Sequence, residues 1–105
     1  MKTKLLITLV ITLFLNVFDS KAQCVTKDVN MLFCISESYL DKTISYINNN
    51  DLDAVQTLID IGACSFIAPY ITVYVESSSW TGTVEIRPKG ATSTVWTVRE
   101  AIDCK

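Results

Sequence analysis

Residues 36–62 read SESYLDKTISYINNNDLDAVQTLIDIG, and their apolar positions recur with the period of a helix. Leu40, Ile44 and Ile47 stand at i, i+4 and i+7, on one helical face. Ser36 or Ser38 can cap this segment, with Glu37 and Asp41 near its positive end. Asn48-Asn49-Asn50 breaks it, and Asp51 then caps a second helix. There Leu52, Val55 and Ile59 share a face that Ala54, Leu58 and Ile61 broaden, and Gly62 ends the helix from the C′ position. So short a connection makes the helices antiparallel neighbours, so a helical hairpin is expected over 36–62.

From Tyr70 the period becomes two. Ile71, Val73 and Val75 alternate with Thr72, Tyr74 and Glu76, the pattern of a half-buried strand. Ser77-Ser78-Ser79 and Thr81-Gly82 bracket a turn around Trp80, and a second strand runs from Thr83 to Arg87 with Val84 and Ile86 inward. Pro88-Lys89-Gly90 turns the chain again before a third strand near Ser93–Trp96, giving a meander over 70–97. Thr97 with Glu100 three residues later has the form of a capping box, which predicts a helical turn over 98–103. The expected fold class is α+β: an N-terminal helical hairpin packed on a small three-stranded antiparallel sheet and stabilised by disulfides.

Two local resemblances accompany this reading. Residues 50–63 resemble the second half of an ankyrin repeat, but a solenoid needs about three repeats and the chain has one, so no ankyrin function follows. Ile71-Thr72-Val73-Tyr74-Val75, the Trp80 turn, Thr83-Val84-Glu85-Ile86-Arg87 and Val95-Trp96-Thr97 together resemble the small barrels of the bacterial SH3-like group. That resemblance covers 70–102 and implies a binding module with no stated ligand. A plain three-stranded sheet under the hairpin is the alternative.

The 105-residue chain is 50% hydrophobic, and much of this lies at its start. Lys2 and Lys4 precede an apolar stretch from Leu5 to Phe18, and Ser20-Lys21-Ala22 offers small residues for cleavage before Gln23. These are the parts of a secretory signal peptide over 1–22, too short for a span of about 20 apolar residues. Lys21 and Gln23 do not fit a lipobox ahead of Cys24, so no lipid anchor is expected. The mature part, 23–105, is one small domain for a secreted or periplasmic setting, without stable membrane insertion. It carries six basic side chains against ten acidic ones, and the whole excess lies within 24–64. An acidic balance argues against a nucleic-acid partner.

Cys24, Cys34, Cys64 and Cys104 contain no CxxC pair, so neither a redox motif nor a zinc knuckle is supported. In an exported chain four cysteines make two disulfides. Cys34 lies just before the first helix and Cys64 just after the second, so Cys34–Cys64 would close the hairpin and Cys24–Cys104 would tie the mature termini.

The chain has no histidine, which excludes Ser–His and Cys–His catalysis and histidine-ligated zinc. No catalytic constellation, metal site or cofactor motif is expected. Trp80, in its polar turn, can form an aromatic binding patch with Tyr74 and Tyr70; the opposing reading has the hairpin covering these rings. Trp96 reads as core. Glu85, Arg87, Lys89 and Arg99 read as salt-bridged strand neighbours, and Asp41, Asp51, Asp53 and Asp60 form an acidic helical face, either solvated or facing a basic partner. The function expected is a non-enzymatic binding module for a protein, peptide or cell-wall component. The alternative is an inhibitor or immunity-type protein that blocks a secreted enzyme through the Trp80 loop.

Overall fold

The structure is a computed structural model that describes residues 22–104, so the expected signal peptide over 1–22 lies, except for Ala22, outside the described residues. Seven strands form one antiparallel sheet: β1 (Gln23–Thr26), β2 (Leu32–Cys34), β3 (Cys64–Phe66), β4 (Thr72–Ser78), β5 (Thr83–Pro88), β6 (Val95–Val98) and β7 (Ile102–Cys104), in the order β3-β2-β6-β5-β4-β1-β7. Two helices, α1 (Glu37–Asn48) and α2 (Leu52–Asp60), lie between β2 and β3. This corrects the expected fold: the hairpin sits inside the chain, and the sheet has seven strands, not three. The four unforeseen strands span three or four residues each, too few for an alternation of period two to register. Each of them carries one of the four cysteines.

The pairing of these short strands builds a long ribbon. Leu32↔Phe66 and Cys34↔Cys64 pair at one end, Cys24↔Val73 and Val25↔Thr72 at the other. Between them, Ile67 N–H donates to Met31 O, Tyr70 N–H to Thr26 O and Thr26 N–H to Ile71 O, all at 2.9–3.0 Å. The ribbon thus runs nearly continuously from β1–β4 into β2–β3, with one extra residue on the arm joining β1 to β2. Buried Thr26 fastens the irregularity: its hydroxyl donates to Ala68 O and accepts from Ile71 N–H, each at 2.8 Å. Because β4 lies beside β5 and β2 beside β6, the ribbon embraces the β5–β6 pair from both sides.

The helical hairpin is the loop of this ribbon. Ser36 Oγ accepts from Tyr39 N–H at the start of α1, and Asp51 Oδ1 accepts from Ala54 N–H at the start of α2, both at 3.2 Å. Asn50 (φ 57°) turns the chain between them in the left-handed conformation that asparagine tolerates. Past α2, Gly62 (φ 79°) lets its own N–H and that of Ala63 reach Ile59 O and Leu58 O, which returns the chain to β3.

Two cores form on opposite faces of the sheet. Cys24, Val73, Val84, Ile86 and Ile102 cluster on one, with Val75 and Val95 against them. Cys34, Leu40, Leu58, Ala63 and Cys64 cluster on the other, joined by Tyr39, Ile44, Tyr46 and Trp96. Val95 and Trp96 are consecutive on β6 and therefore face opposite ways, so this strand is the wall between the cores. Thr97 does not cap a helical turn as its spacing to Glu100 suggests. Fully buried, its hydroxyl donates to Leu32 O at 2.9 Å and reinforces a β2–β6 ladder with one registered pair, Cys34↔Trp96. Only a 3-10 turn, Arg99–Ala101, precedes β7, and Val98 at its start makes no side-chain cap.

The disulfides are Cys24–Cys104 and Cys34–Cys64, and in both pairs the cysteines are directly opposed across strands. Flanking bonds, Lys27 N–H to Ala101 O and Ile35 N–H to Ala63 O, put both pairs at non-hydrogen-bonded positions, where side chains approach most closely. The Cα separations of 4.3 and 4.0 Å fit that register. The bridges span 80 and 30 residues, so replacing each pair by alanine is expected to cost about 4.5 and about 3.6 kcal/mol respectively. Urea melts of the two double variants measure both costs, and the terminal bridge is expected to be the larger loss.

Candidate functional site

Trp80 is 96% exposed, the largest exposure of any bulky apolar side chain among the described residues. It sits at the tip joining β4 to β5, and the tip is held by its neighbours. Ser79 N–H donates to Thr83 O at 2.8 Å, Gly82 N–H to Ser79 O at 3.2 Å and Thr81 N–H to Ser79 Oγ at 3.2 Å. The Ser79 and Thr81 hydroxyls meet at 2.7 Å, and Arg99 N–H anchors Gly82 O from the neighbouring β6 end. Gly82 carries a φ of 97°, open to glycine and strained for other residues. The turn's hydrogen bonds therefore run through Ser79, Thr81 and Gly82, and none of these involves the indole.

Tyr74 and Tyr70 do not join Trp80 in one patch. Tyr74 lies mid-β4, half-buried, opposite Arg87, whose guanidinium carbon is 4.9 Å from the ring centroid. Arg87 Nε also pairs with Glu76 at 3.0 Å, and its terminal nitrogen donates to Ala91 O at 3.2 Å. Tyr74 thus shields a cation, as stacked cross-strand pairs do. Of the four charged residues expected to pair, Glu85 instead accepts from Ser77 and Thr94 hydroxyls at 2.9 and 2.6 Å. Tyr70 precedes β4 at the end away from Trp80, and a strand of this length holds the two ends about 20 Å apart. Trp96 is partly buried against the second core.

Tyr70 has a separate significance. It is 73% exposed and adopts φ 63°, a left-handed conformation that is uncommon for a bulky residue. The Thr26 hydroxyl fixes the residues on either side of it. Beside this turn, where the ribbon's arms part, lies an apolar cleft of about 240 Å³ whose lining includes Phe33, Ile67, Ile71, Val73, Ile86 and Val95. No charged side chain lines it. It is smaller than most small-molecule pockets and of a size for one aliphatic or aromatic side chain of a partner. The ribbon irregularity and the cleft arise from long-range pairing, so no local pattern announces them.

Among the described residues no group of carboxylates and cysteines is placed to hold a metal ion, and no helix is long and apolar enough to cross a membrane. Both disulfides fit an oxidising compartment. No protein-family model, curated protein or solved structure matches the chain.

Trp80→Ala is expected to change stability by less than about 1 kcal/mol, as exposed substitutions do. Tyr70→Gly is expected to stabilise by about 1 kcal/mol, because it relieves a left-handed bulky residue. Urea melts measure both; a loss above about 3 kcal/mol on Trp80→Ala, the scale of a core tryptophan, would remove Trp80 from the surface account.

Proposed function

We propose that the chain is an exported, non-enzymatic binding domain that presents Trp80 on a rigid hairpin tip to a protein, peptide or cell-wall partner. The observation that carries this reading is an almost fully exposed tryptophan in a turn held by hydrogen bonds among Ser79, Thr81, Gly82 and Thr83. Left in water, the ring contributes nothing to folding; buried against a partner, an aromatic of this size dominates an interface. Because the tip is held before contact, little ordering entropy opposes binding. The signal-peptide pattern of residues 1–22 and the two disulfides support export to a secreted or periplasmic location.

A second reading draws on the same hairpin. A pre-formed protruding loop with an aromatic tip suits insertion into an enzyme's cleft, which would make the domain an inhibitor or immunity-type protein. The two readings separate on the partner's identity and on whether its activity falls when bound.

Capture from extracellular and cell-wall extracts with the oxidised domain tests the proposal, with Trp80→Ala run in parallel. The expected result is a retained partner whose affinity falls by about 2 kcal/mol or more in the variant. A partner bound equally by both proteins would overturn the role of Trp80. Loss of a captured enzyme's turnover in the complex would select the inhibitor reading.

A further inference from the structure

The helical hairpin folds back along β2, and its tip reaches over Asn30 and Met31 at the strand's start. Helices of 12 and 9 residues are about 18 and 13 Å long, whereas three-residue strands run about 10 Å. The tip therefore overhangs the sheet beneath it. A groove of about 520 Å³ results, with Leu32, Leu40 and Val55 at its base and Ile47, Leu52 and Phe66 along its walls. Those last three are 50%, 62% and 54% exposed, although the helical period assigns Ile47 and Leu52 to inward faces. Three large apolar side chains at the rim of one groove form a surface that water covers poorly.

Charge narrows the occupant. Glu37, Asp41 and Ile44 succeed one another at i, i+4 and i+7 along α1, so two carboxylates continue the row of a groove residue; Glu37 already accepts from the Thr83 hydroxyl at 3.0 Å, which leaves Asp41 as the exposed one. Asp51 and Asp53 flank Leu52 at the hairpin tip. Lys42 is drawn off to the Tyr39 ring, 5.5 Å from its centroid. Over residues 24–64 two lysines face six acids. A second copy would bring the same negative face, and an anionic lipid surface would be repelled as well. An apolar groove with carboxylates on the adjoining helical turns is complementary to a cationic amphipathic helix, whose apolar stripe fills the groove while its bases meet those carboxylates.

We propose that the groove between α1, α2 and β2 is a docking site for a basic amphipathic helical segment of a partner protein. This site is separate from the Trp80 tip. The probe is a synthetic helical peptide of leucine and lysine with its leucines on one face, titrated onto the oxidised domain by fluorescence anisotropy. Controls are a sequence-scrambled peptide of equal charge, a leucine–glutamate counterpart and anionic phosphatidylglycerol vesicles.

The expected result is binding of the leucine–lysine helix that weakens as salt rises, with neither peptide control nor the vesicles bound. Leu52→Ser and Asp41→Lys are each expected to weaken it about tenfold or more, with urea melts showing both variants folded. Asp103→Lys, on the β7 edge, should leave it unchanged. Equal binding of the scrambled peptide, or equal losses for Asp103→Lys and Asp41→Lys, would reduce the effect to bulk charge and overturn the proposal. Concentration-dependent dimerisation abolished by Leu52→Ser, or vesicle binding, would replace the proposed occupant and overturn it too. Because neither Leu52 nor Asp41 belongs to the Trp80 turn, the docking site and the Trp80 reading can fail separately.

Discussion

A cysteine pair opposed across two very short strands is the constraint on which this fold depends. Three residues of ladder supply one or two pairs of hydrogen bonds, each worth about 1 kcal/mol net, while ordering each residue costs about 1–2 kcal/mol. Strands of that length do not hold their own register. A disulfide between directly opposed residues fixes the register covalently and carries the entropic cost into the unfolded chain. Cys34–Cys64 does this where the ribbon opens into the helices, and Cys24–Cys104 where β7 is added to the sheet's edge. Cys24 belongs to the first core and Cys34 and Cys64 to the second, so pairing and packing are fixed at the same points. Thr43 marks the junction: its buried hydroxyl donates to Tyr39 O at 2.9 Å and lies 3.6 and 3.4 Å from the two sulfurs of the second bridge.

This constraint divides what the sequence reveals from what it hides. Leu40, Val55 and Leu58 follow a helical period and are buried, and Val73, Val84 and Ile86 follow a period of two and are buried. Those segments are long enough for side-chain chemistry to repeat. Gln23–Thr26, Leu32–Cys34, Cys64–Phe66 and Ile102–Cys104 are not, and their partners lie far away in the chain. The cysteines were the available signal, since a bridge between residues that end up opposed implies local pairing around each of them. Thr97 misleads for a related reason: its spacing to Glu100 is a capping box, but a long-range bond to Leu32 O claims its hydroxyl.

The candidate sites divide along the same line. Trp80 is legible because its polar neighbours are those of a turn, and a turn gives an indole no core to enter. The separation of Tyr70 from Trp80, the engagement of Tyr74 with Arg87, and the exposure of Ile47 and Leu52 all follow from tertiary packing that no local period encodes. Phe66 and Leu32 are paired across β3–β2, Leu32 and Val98 line the groove together, Val98 is paired with Thr83, and Thr83 O accepts from Ser79 N–H. The helical groove and the Trp80 turn therefore lie at the same end of the sheet. From Val98 on β6 to Ser79 beside β4 is two strand spacings, about 10 Å.

The most direct test of the account is amide hydrogen exchange at Ile35 and Ile67, whose N–H groups donate to Ala63 O and Met31 O across the ribbon. In the oxidised protein both amides are predicted to exchange as slowly as those of β5. In the Cys34→Ala/Cys64→Ala variant they are predicted to lose that protection while the amides pairing β4 with β5 keep theirs. Rapid exchange at Ile35 and Ile67 in the oxidised protein would contradict the account, because the short cysteine-bearing strands would then not be paired.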